Sequence, residues 1–540
     1  MDVDEEFKEF EREVFDTFIE RSPILATHLG IHEHDHRLPE VTEEKHVEDI
    51  ELMEEWLEKL RSFEDDKLDE ENEFAKKLGL HIFEIHLFNL KELRQWEQAP
   101  QSPNIIGASL LLLLKREFAP LEERLKSIIS RIEDVPRMLE EEKSRLKNPI
   151  RLWIDMAIES AEQLPMLFKL IQMLSKEKGL EKEKLEEISE ATNKADQALE
   201  DYIEWLREEK RDADEDYTIG EEKFEELLEK RELGYNSKEI LEIGEELLRK
   251  AKSQMEKYAK KIDPDGDVKE AVEKVESETP ETFKEALKWY EEGLEDAKEF
   301  KEKKNIATIP DGEEIEVMET PEYMRNIIPF AAYISPAKFD ETKKGIYVVT
   351  PPQEKSNLGN YSYWDVRNTT VHEGYPGHHL QLAAATTNDD VFRIFSHATE
   401  TVEGWAHYCE EMMKDHGFDD KPEARLIQSK DIVWRAARII VDVKLSTGKM
   451  SFSEAVNYMV ETVGMDRQDA EKEVRRYTQN PAYQLSYLIG KKMIKELKGE
   501  VKEKMGDDFE EKFFHDTILY AGSVPIKYLR EIFDRKLKEM

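Results

Sequence analysis

The stretch T-V-H-E-G-Y-P-G-H-H-L-Q-L, Thr370–Leu382, places His372, Glu373, His378 and His379 within eight residues. A second polar cluster follows in T-V-E-G-W-A-H-Y-C-E-E, Thr401–Glu411, with Glu403, Trp405 and His407. Five of the 14 histidines lie between positions 372 and 407. Imidazole and carboxylate at that density are the donor set of a catalytic metal.

The local fold turns on position 376. In the common H-E-x-x-H arrangement the two histidines stand i, i+4 on one helix face, and a downstream Glu completes the set. Here the i+4 residue is Pro376, which has no N–H for the His372 carbonyl and clashes with it. On an unbroken helix the i+7 residue would lie about 10 Å along the axis, at 1.5 Å per residue. A bulge or short turn made by Gly374–Gly377 is therefore expected, bringing His378 or His379 to the place of the second ligand. Glu403 is the third candidate, with His407 at i+4 on the same face as a further ligand or as a group behind the ligands. The expected cofactor is one zinc ion. Glu373 is the expected general base, facing a water whose pKa zinc lowers toward about 7. The competing reading is a satisfied buried polar network.

Outward from this stretch, the chain reads as mainly α. Residues 4–21 repeat apolar positions at helical spacing through Phe7, Phe10, Val14, Phe15, Phe18 and Ile19. From Thr42 to about Phe300 segments rich in Glu, Lys and Leu keep that period, with breaks near Pro100–Pro103, Pro149, Gly220, Gly234 and Pro264. Thr42 and Asn236 read as helix N-caps. His28, His32, His34 and His36 fall in a loop and read as solvated histidines, with a metal cluster as the alternative. The charge run Glu140–Lys147 reads as a solvated face. Near Pro310 the texture changes. The segments 315–318, 333–335 and 345–352 bring β-branched and aromatic residues bounded by Pro and Gly, which are strand signals. Asn357–Asn368 reads as a loop into the His372 helix, and helices resume to the end. The expected organisation is a helical lobe over 1–310 forming the walls of a deep cleft and a catalytic region over 311–540, in one continuous body.

The bulk numbers limit the partners. The chain has 540 residues, 80 basic against 123 acidic, for a net charge of −43. Such a charge argues against nucleic acid and anionic membranes as partners, since both are polyanions. It suits either a high-salt interior or a very soluble cytosolic protein. A single cysteine, Cys409, rules out an internal disulfide. The acidic start M-D-V-D-E-E-F lacks the pattern of a signal peptide, and no apolar run reaches about 18 residues. The expected location is cytoplasmic.

Other residues fit peptide hydrolysis. The strand G-I-Y-V-V-T, with Tyr347, could pair its edge with a peptide backbone; an ordinary buried strand is the alternative. Tyr483 and Tyr487, spaced i, i+4, could each donate to an oxyanion, or be core. Arg435 and Arg438 could hold a terminal carboxylate, or form structural ion pairs.

H-E-G-Y-P-G-H-H-L-Q resembles the H-E-x-x-P-G-H-H-x-Q signature of a large family of uncharacterised prokaryotic proteins grouped with gluzincin-type zinc peptidases. E-G-W-A-H-Y is similar to its second motif, E-G-W-A-x-Y. Weaker likenesses are S-P-I-L-A-T-H-L-G-I-H-E-H-D near the start, and N-P-A-Y-Q-L-S-Y-L-I-G and F-H-D-T-I-L-Y-A-G-S-V-P near the end. The resemblance implies zinc on His372, one of the following histidines and Glu403, with Glu373 catalytic. Where the family often carries Asp followed by His, this chain has Asp442 and then Ser446. Together these readings give a zinc-dependent oligopeptidase or carboxypeptidase acting on short peptides. The alternatives are a metal hydrolase of a non-peptide amide or ester, and a non-catalytic helical binding protein with a degenerate metal site.

Overall fold

The computed structural model describes residues 2–320, 331–340, 342–352 and 358–540. It is mainly helical with one small sheet, as the periodicity predicts. Two compact units divide it. The first comprises Met1–Tyr217 with Ala337–Glu341, the second Thr218–Pro336 with Thr342–Met540. Among the described residues no helix is long and apolar enough to cross a membrane.

The first unit is a set of helices whose apolar faces share a core of side chains such as Phe7, Phe74, Leu110, Ile128 and Phe168. Thr42 caps the helix Glu43–Ser62 by accepting the Lys45 N–H at 3.1 Å, as its position predicts. Two expectations change here. Glu142, inside the charge run read as a solvated face, is fully buried. Its carboxylate accepts the N–H groups of Gln101 (2.9 Å) and Ser102 (3.0 Å) at the start of the helix Ser102–Lys115, and it also binds Arg145 and the Tyr202 hydroxyl. The orphan donors of a helix start, together with a cation, make a buried carboxylate tolerable. The histidines read as a solvated loop differ too: His28 lies in the helix Pro23–Leu29, and His32 is half-buried with its ring engaged. Its ring stacks on Phe118, and its nitrogens meet Asp35 at 2.8 Å and Asp340 at 3.1 Å.

The second unit holds both motifs. Helices Gly220–Lys230, Ser237–Ile262 and Phe283–Lys303, read from sequence with the helical lobe, fold here with the chain after residue 342. Asn236 starts the second of these with a capping box to Glu239. The three strand segments form one sheet of β1 (Glu313–Glu319), β2 (Ala331–Ile334) and β3 (Lys343–Val349), in the order β1-β3-β2. β3 pairs with β1 in parallel and with β2 antiparallel, so both of its edges are taken. The expectation that β3 lends an edge to a substrate is overturned. The alternative of a buried strand holds, because β3 sits in the middle of the sheet with Tyr347, Val348 and Val349 in the core. Of the loop expected over Asn357–Asn368, Asn357 lies outside the described residues, and the helix Tyr363–Glu373 already begins at Tyr363. Ser362 caps it by accepting the Asp365 N–H at 3.4 Å.

Candidate metal centre

The break imposed by Pro376 builds the site. The helix Tyr363–Glu373 stops at Glu373, the chain turns through Gly374–Gly377, and a new helix, His378–Ala385, starts at His378. The peptide bond between Tyr375 and Pro376 is cis. Gly377 has no substitute in this turn, because a Cβ there would lie 1.9 Å from the His372 carbonyl oxygen. The turn is tied to the second motif. Trp405, on the helix Thr399–Asp415, donates its indole N–H to the Pro376 carbonyl at 2.8 Å. The helix carrying Glu403 is in turn pressed against the helix Ser486–Met505. A Cβ on Gly404 would come within 2.5 Å of the Gly490 backbone.

Three ligand-type atoms converge as a result. His372 Nε2 and His378 Nε2 stand 3.8 Å and 3.5 Å from Glu403 Oε2. Those separations are too long for hydrogen bonds. Glu403 Oε2 is buried and has no hydrogen-bond partner among the described residues. An orphaned carboxylate oxygen facing two imidazole nitrogens fits a cation between them, and two His with one Glu is a donor set suited to zinc.

The two histidines after Pro376 part company. His378 joins the cluster, and His379 turns away into a separate buried network. His379 Nε2 binds Glu313 of β1, and its Nδ1 meets the Tyr333 hydroxyl of β2 at 2.8 Å. Glu313 also accepts from Tyr375 at 2.7 Å and from Lys298 at 3.1 Å. Burial alone would raise the Glu313 carboxyl, but the hydrogen bonds from His379 and Tyr375 and the Lys298 contact hold it at about 2.

Behind the cluster lies Glu410, which sequence reasoning missed. It stands one heptad after Glu403 on the same helix, and that i+7 spacing was the available signal. Its Oε1 meets His372 Nδ1 at 2.8 Å, which fixes the ring and leaves Nε2 toward Glu403. Asn368 donates to its other oxygen at 3.1 Å, and Lys414 holds Asn368 at 2.6 Å. Burial would lower the His372 imidazole, but the Glu410 hydrogen bond and the charges of Glu410, Glu373 and Glu403 push it up to about 9. Burial raises Glu403 less than His378, His372 and His407 lower it, to about 2. His407 is fully buried, its Nδ1 is 3.1 Å from Glu410 Oε1, and burial pushes it down to about 4. His372, His407 and Glu410 thus form a second set of donor atoms that overlaps the first.

Residues 23–532 match the family described as a bacterial protein of unknown function, DUF885. The chain belongs to this family. No curated protein matches the chain. Two solved structures, each described as a "putative lipoprotein", share its fold. One, of unknown function, from Shewanella oneidensis, is 24% identical with a TM-score of 0.80, over 97% of this chain and 99% of that one. The other, from Colwellia psychrerythraea, is 18% identical with a TM-score of 0.86, over 100% of both chains.

The remaining candidates of this DUF885 protein are placed as follows. Glu373 is half-buried at the end of its helix, and its charge reaches the phenols of Tyr290, Tyr333 and Tyr347. Tyr487 packs edge-on against His407, with ring centroids 5.7 Å apart. Tyr483 does not share a helix face with it, because the helix starts only at Ser486 and Tyr483 sits in the preceding turn. The two rings still meet at 6.1 Å. Burial, Tyr487 and the Glu403 charge raise the Tyr483 phenol well above its usual value. Tyr347 is buried against Tyr290. Arg438 is committed to Tyr477 and Glu473, each at 2.8 Å. Arg435 reaches Asp431 at 3.2 Å, and its Nε has no hydrogen-bond partner among the described residues.

Proposed function

We propose that this DUF885 protein is a zinc-dependent peptidase of the gluzincin-like type that hydrolyses amide bonds in short peptides. The observation that carries this reading is the convergence of His372 Nε2, His378 Nε2 and the orphaned Glu403 Oε2, with Glu373 directly after the first ligand. A zinc ion held by these three residues would supply Lewis acidity, lowering the pKa of water and polarising a carbonyl.

The chain's own residues do the rest. Glu373 takes the proton of the attacking water and returns it to the leaving nitrogen. Glu410 holds the His372 ring in the orientation that aims Nε2 at the cluster. Tyr483 stays protonated at neutral pH, since its phenol is raised, and can donate to the developing oxyanion; Tyr487 beside it is the second candidate donor. Arg435, with Nε unspent, suits a substrate carboxylate better than Arg438, whose Nε and Nη2 are engaged. Carboxypeptidase or oligopeptidase action follows from whether that carboxylate is terminal.

The test is metal analysis of purified protein together with digestion of a mixed peptide pool read by mass spectrometry. About one zinc per chain is expected. Glu373→Gln should keep the zinc and lose cleavage by at least about a hundredfold. Protein that carries no stoichiometric metal, or a Glu373→Gln variant that cleaves at the wild-type rate, would refute the reading. Cleavage of blocked amides or esters alone would move the activity to a non-peptide substrate.

A further inference from the structure

The turn that delivers Tyr483 is held from both sides by residues that the proposed mechanism does not use. Asp442, on the helix Pro422–Ser446, is fully buried. Its Oδ1 accepts the peptide N–H of Ala482 at 3.0 Å, and its Oδ2 accepts that of Gln484 at 2.8 Å. These are the two N–H groups that flank Tyr483. Ser446 adds a third bond to Asp442 at 3.1 Å without touching the turn. From the other side Arg231 donates to the Ala482 carbonyl, and it also reaches Glu400 at 2.8 Å and Ser486 at 3.1 Å. Ala482 is thereby kept at φ +63°, a left-handed conformation that non-glycine residues disfavour.

A buried acid is a costly way to close a turn, since burial penalises its ionised form. Neutral acceptors would satisfy two N–H groups equally well. What a carboxyl group adds is two oxygens on one rigid plane, one for each side of a single residue. That residue is the phenol that feels the Glu403 charge and packs on Tyr487.

We infer that Asp442 is a positioning residue that fixes the Tyr483 phenol toward the Glu403 end of the site by binding the peptide N–H groups on either side of it. The positional part stands on this geometry alone, and its catalytic consequence rests on the peptidase reading.

The experiment places 3-fluorotyrosine at position 483 of the full chain and records fluorine NMR spectra without and with added zinc. One sharp resonance is expected in the parent protein and in Ser446→Ala. Asp442→Ala should give a shifted and broadened or divided resonance, and Asp442→Asn, which keeps the shape and one acceptor, an intermediate one. Should Asp442→Ala fail to fold, Asp442→Asn carries the comparison. A resonance unchanged in the folded Asp442 variants overturns the inference. In the zinc-loaded enzyme, with an internally quenched peptide that it cleaves, Asp442→Asn should lower kcat by about 10- to 100-fold and leave KM within about twofold. Tyr483→Phe combined with Asp442→Asn should be no slower than the slower single variant, because both act on one phenol. Fully additive losses would break the link between Asp442 and Tyr483. If the parent enzyme cleaves nothing, the peptidase reading fails while the fluorine spectra still decide the clamp.

Discussion

Adjacent histidines in H-H carry different tasks because the helix His378–Ala385 starts at the first of them and points their side chains apart. His378 faces Glu403, and His379 faces Glu313. Their substitutions should separate accordingly. His378→Gln is expected to lose stoichiometric zinc and to keep its fold. His379→Gln should keep zinc but lose about 3–5 kcal/mol of stability, because it leaves the Glu313 carboxylate buried beside a poorer partner. Glu410→Gln should weaken zinc by about 10- to 100-fold, as loss of a ring-orienting carboxylate does. Zinc titration and urea unfolding on the three proteins check this; zinc lost from His379→Gln and kept in His378→Gln would reverse the assignment. The sequence made the ligand candidates legible, because histidines, Glu373 and Glu403 cluster along the chain. It could not choose between His378 and His379, since the choice depends on Glu313, about 66 residues upstream, and local spacing carries no information about so distant a partner. Arg231 was invisible for the same reason.

At the scale of elements, propensity was read well and pairing was not. Pro376 predicted the broken helix because its missing N–H is a local property. The three strand segments were also legible from β-branched and aromatic runs. That β3 is the central strand depends on where β1 and β2 dock, which no single segment encodes. Close helix contact is similarly silent until two glycines meet. The helix Ser486–Met505 offers an internal control. A Cβ on Gly490 would sit 2.0 Å from the Glu400 carbonyl oxygen, whereas around Gly499 nothing lies within 4 Å. Gly499→Ala should therefore stabilise by about 0.5–1 kcal/mol through helix propensity. Gly490→Ala should destabilise by about 1–3 kcal/mol or more, since backbone rather than a flexible side chain must give way. It should also reduce zinc affinity, because the displaced helix carries Glu403. Urea midpoints with equal slopes would establish the contrast, and a Gly490→Ala protein as stable as its parent would contradict the close approach.

At the scale of the whole molecule, −43 net charge coexists with buried and half-buried acids that are shifted in opposite directions. Asp442 is raised from 3.8 to about 7, chiefly by burial, and Asp365 to about 6, by burial and by Asp431. A folded pKa above the unfolded one means that the native state binds the extra proton. Those groups therefore contribute stability that is full below about pH 4 and is lost as pH rises through 6 to 7. Glu313, Glu411 and Glu473 are held at about 2 against an ordinary 4.5, since His379, Lys491 and Arg438 with their hydrogen bonds outweigh burial. Their contribution is full above about pH 4.5 and is lost as pH falls toward 2. All five lie in the second unit, but so do His407 and His515, which burial pushes from 6.5 down to about 4. Their contribution is lost as pH falls from 6.5 to 4 and opposes the limb of Asp442 and Asp365, so that limb is read as the difference between variant and parent. The rise of the Asp442 pKa alone corresponds to on the order of 4 kcal/mol between pH 4 and 7. Measurements belong on metal-free protein, where proton competition for the ligands is absent, with urea unfolding at each pH. Relative to the parent, Asp442→Asn should gain stability as pH rises from 4 to 7, and Glu473→Gln should lose less as pH falls from 4.5 toward 2. An Asp442→Asn protein whose stability ran parallel to the parent's from pH 4 to 7 would show that Asp442 takes up no proton on folding, and that its carboxylate grips the Tyr483 turn throughout that range.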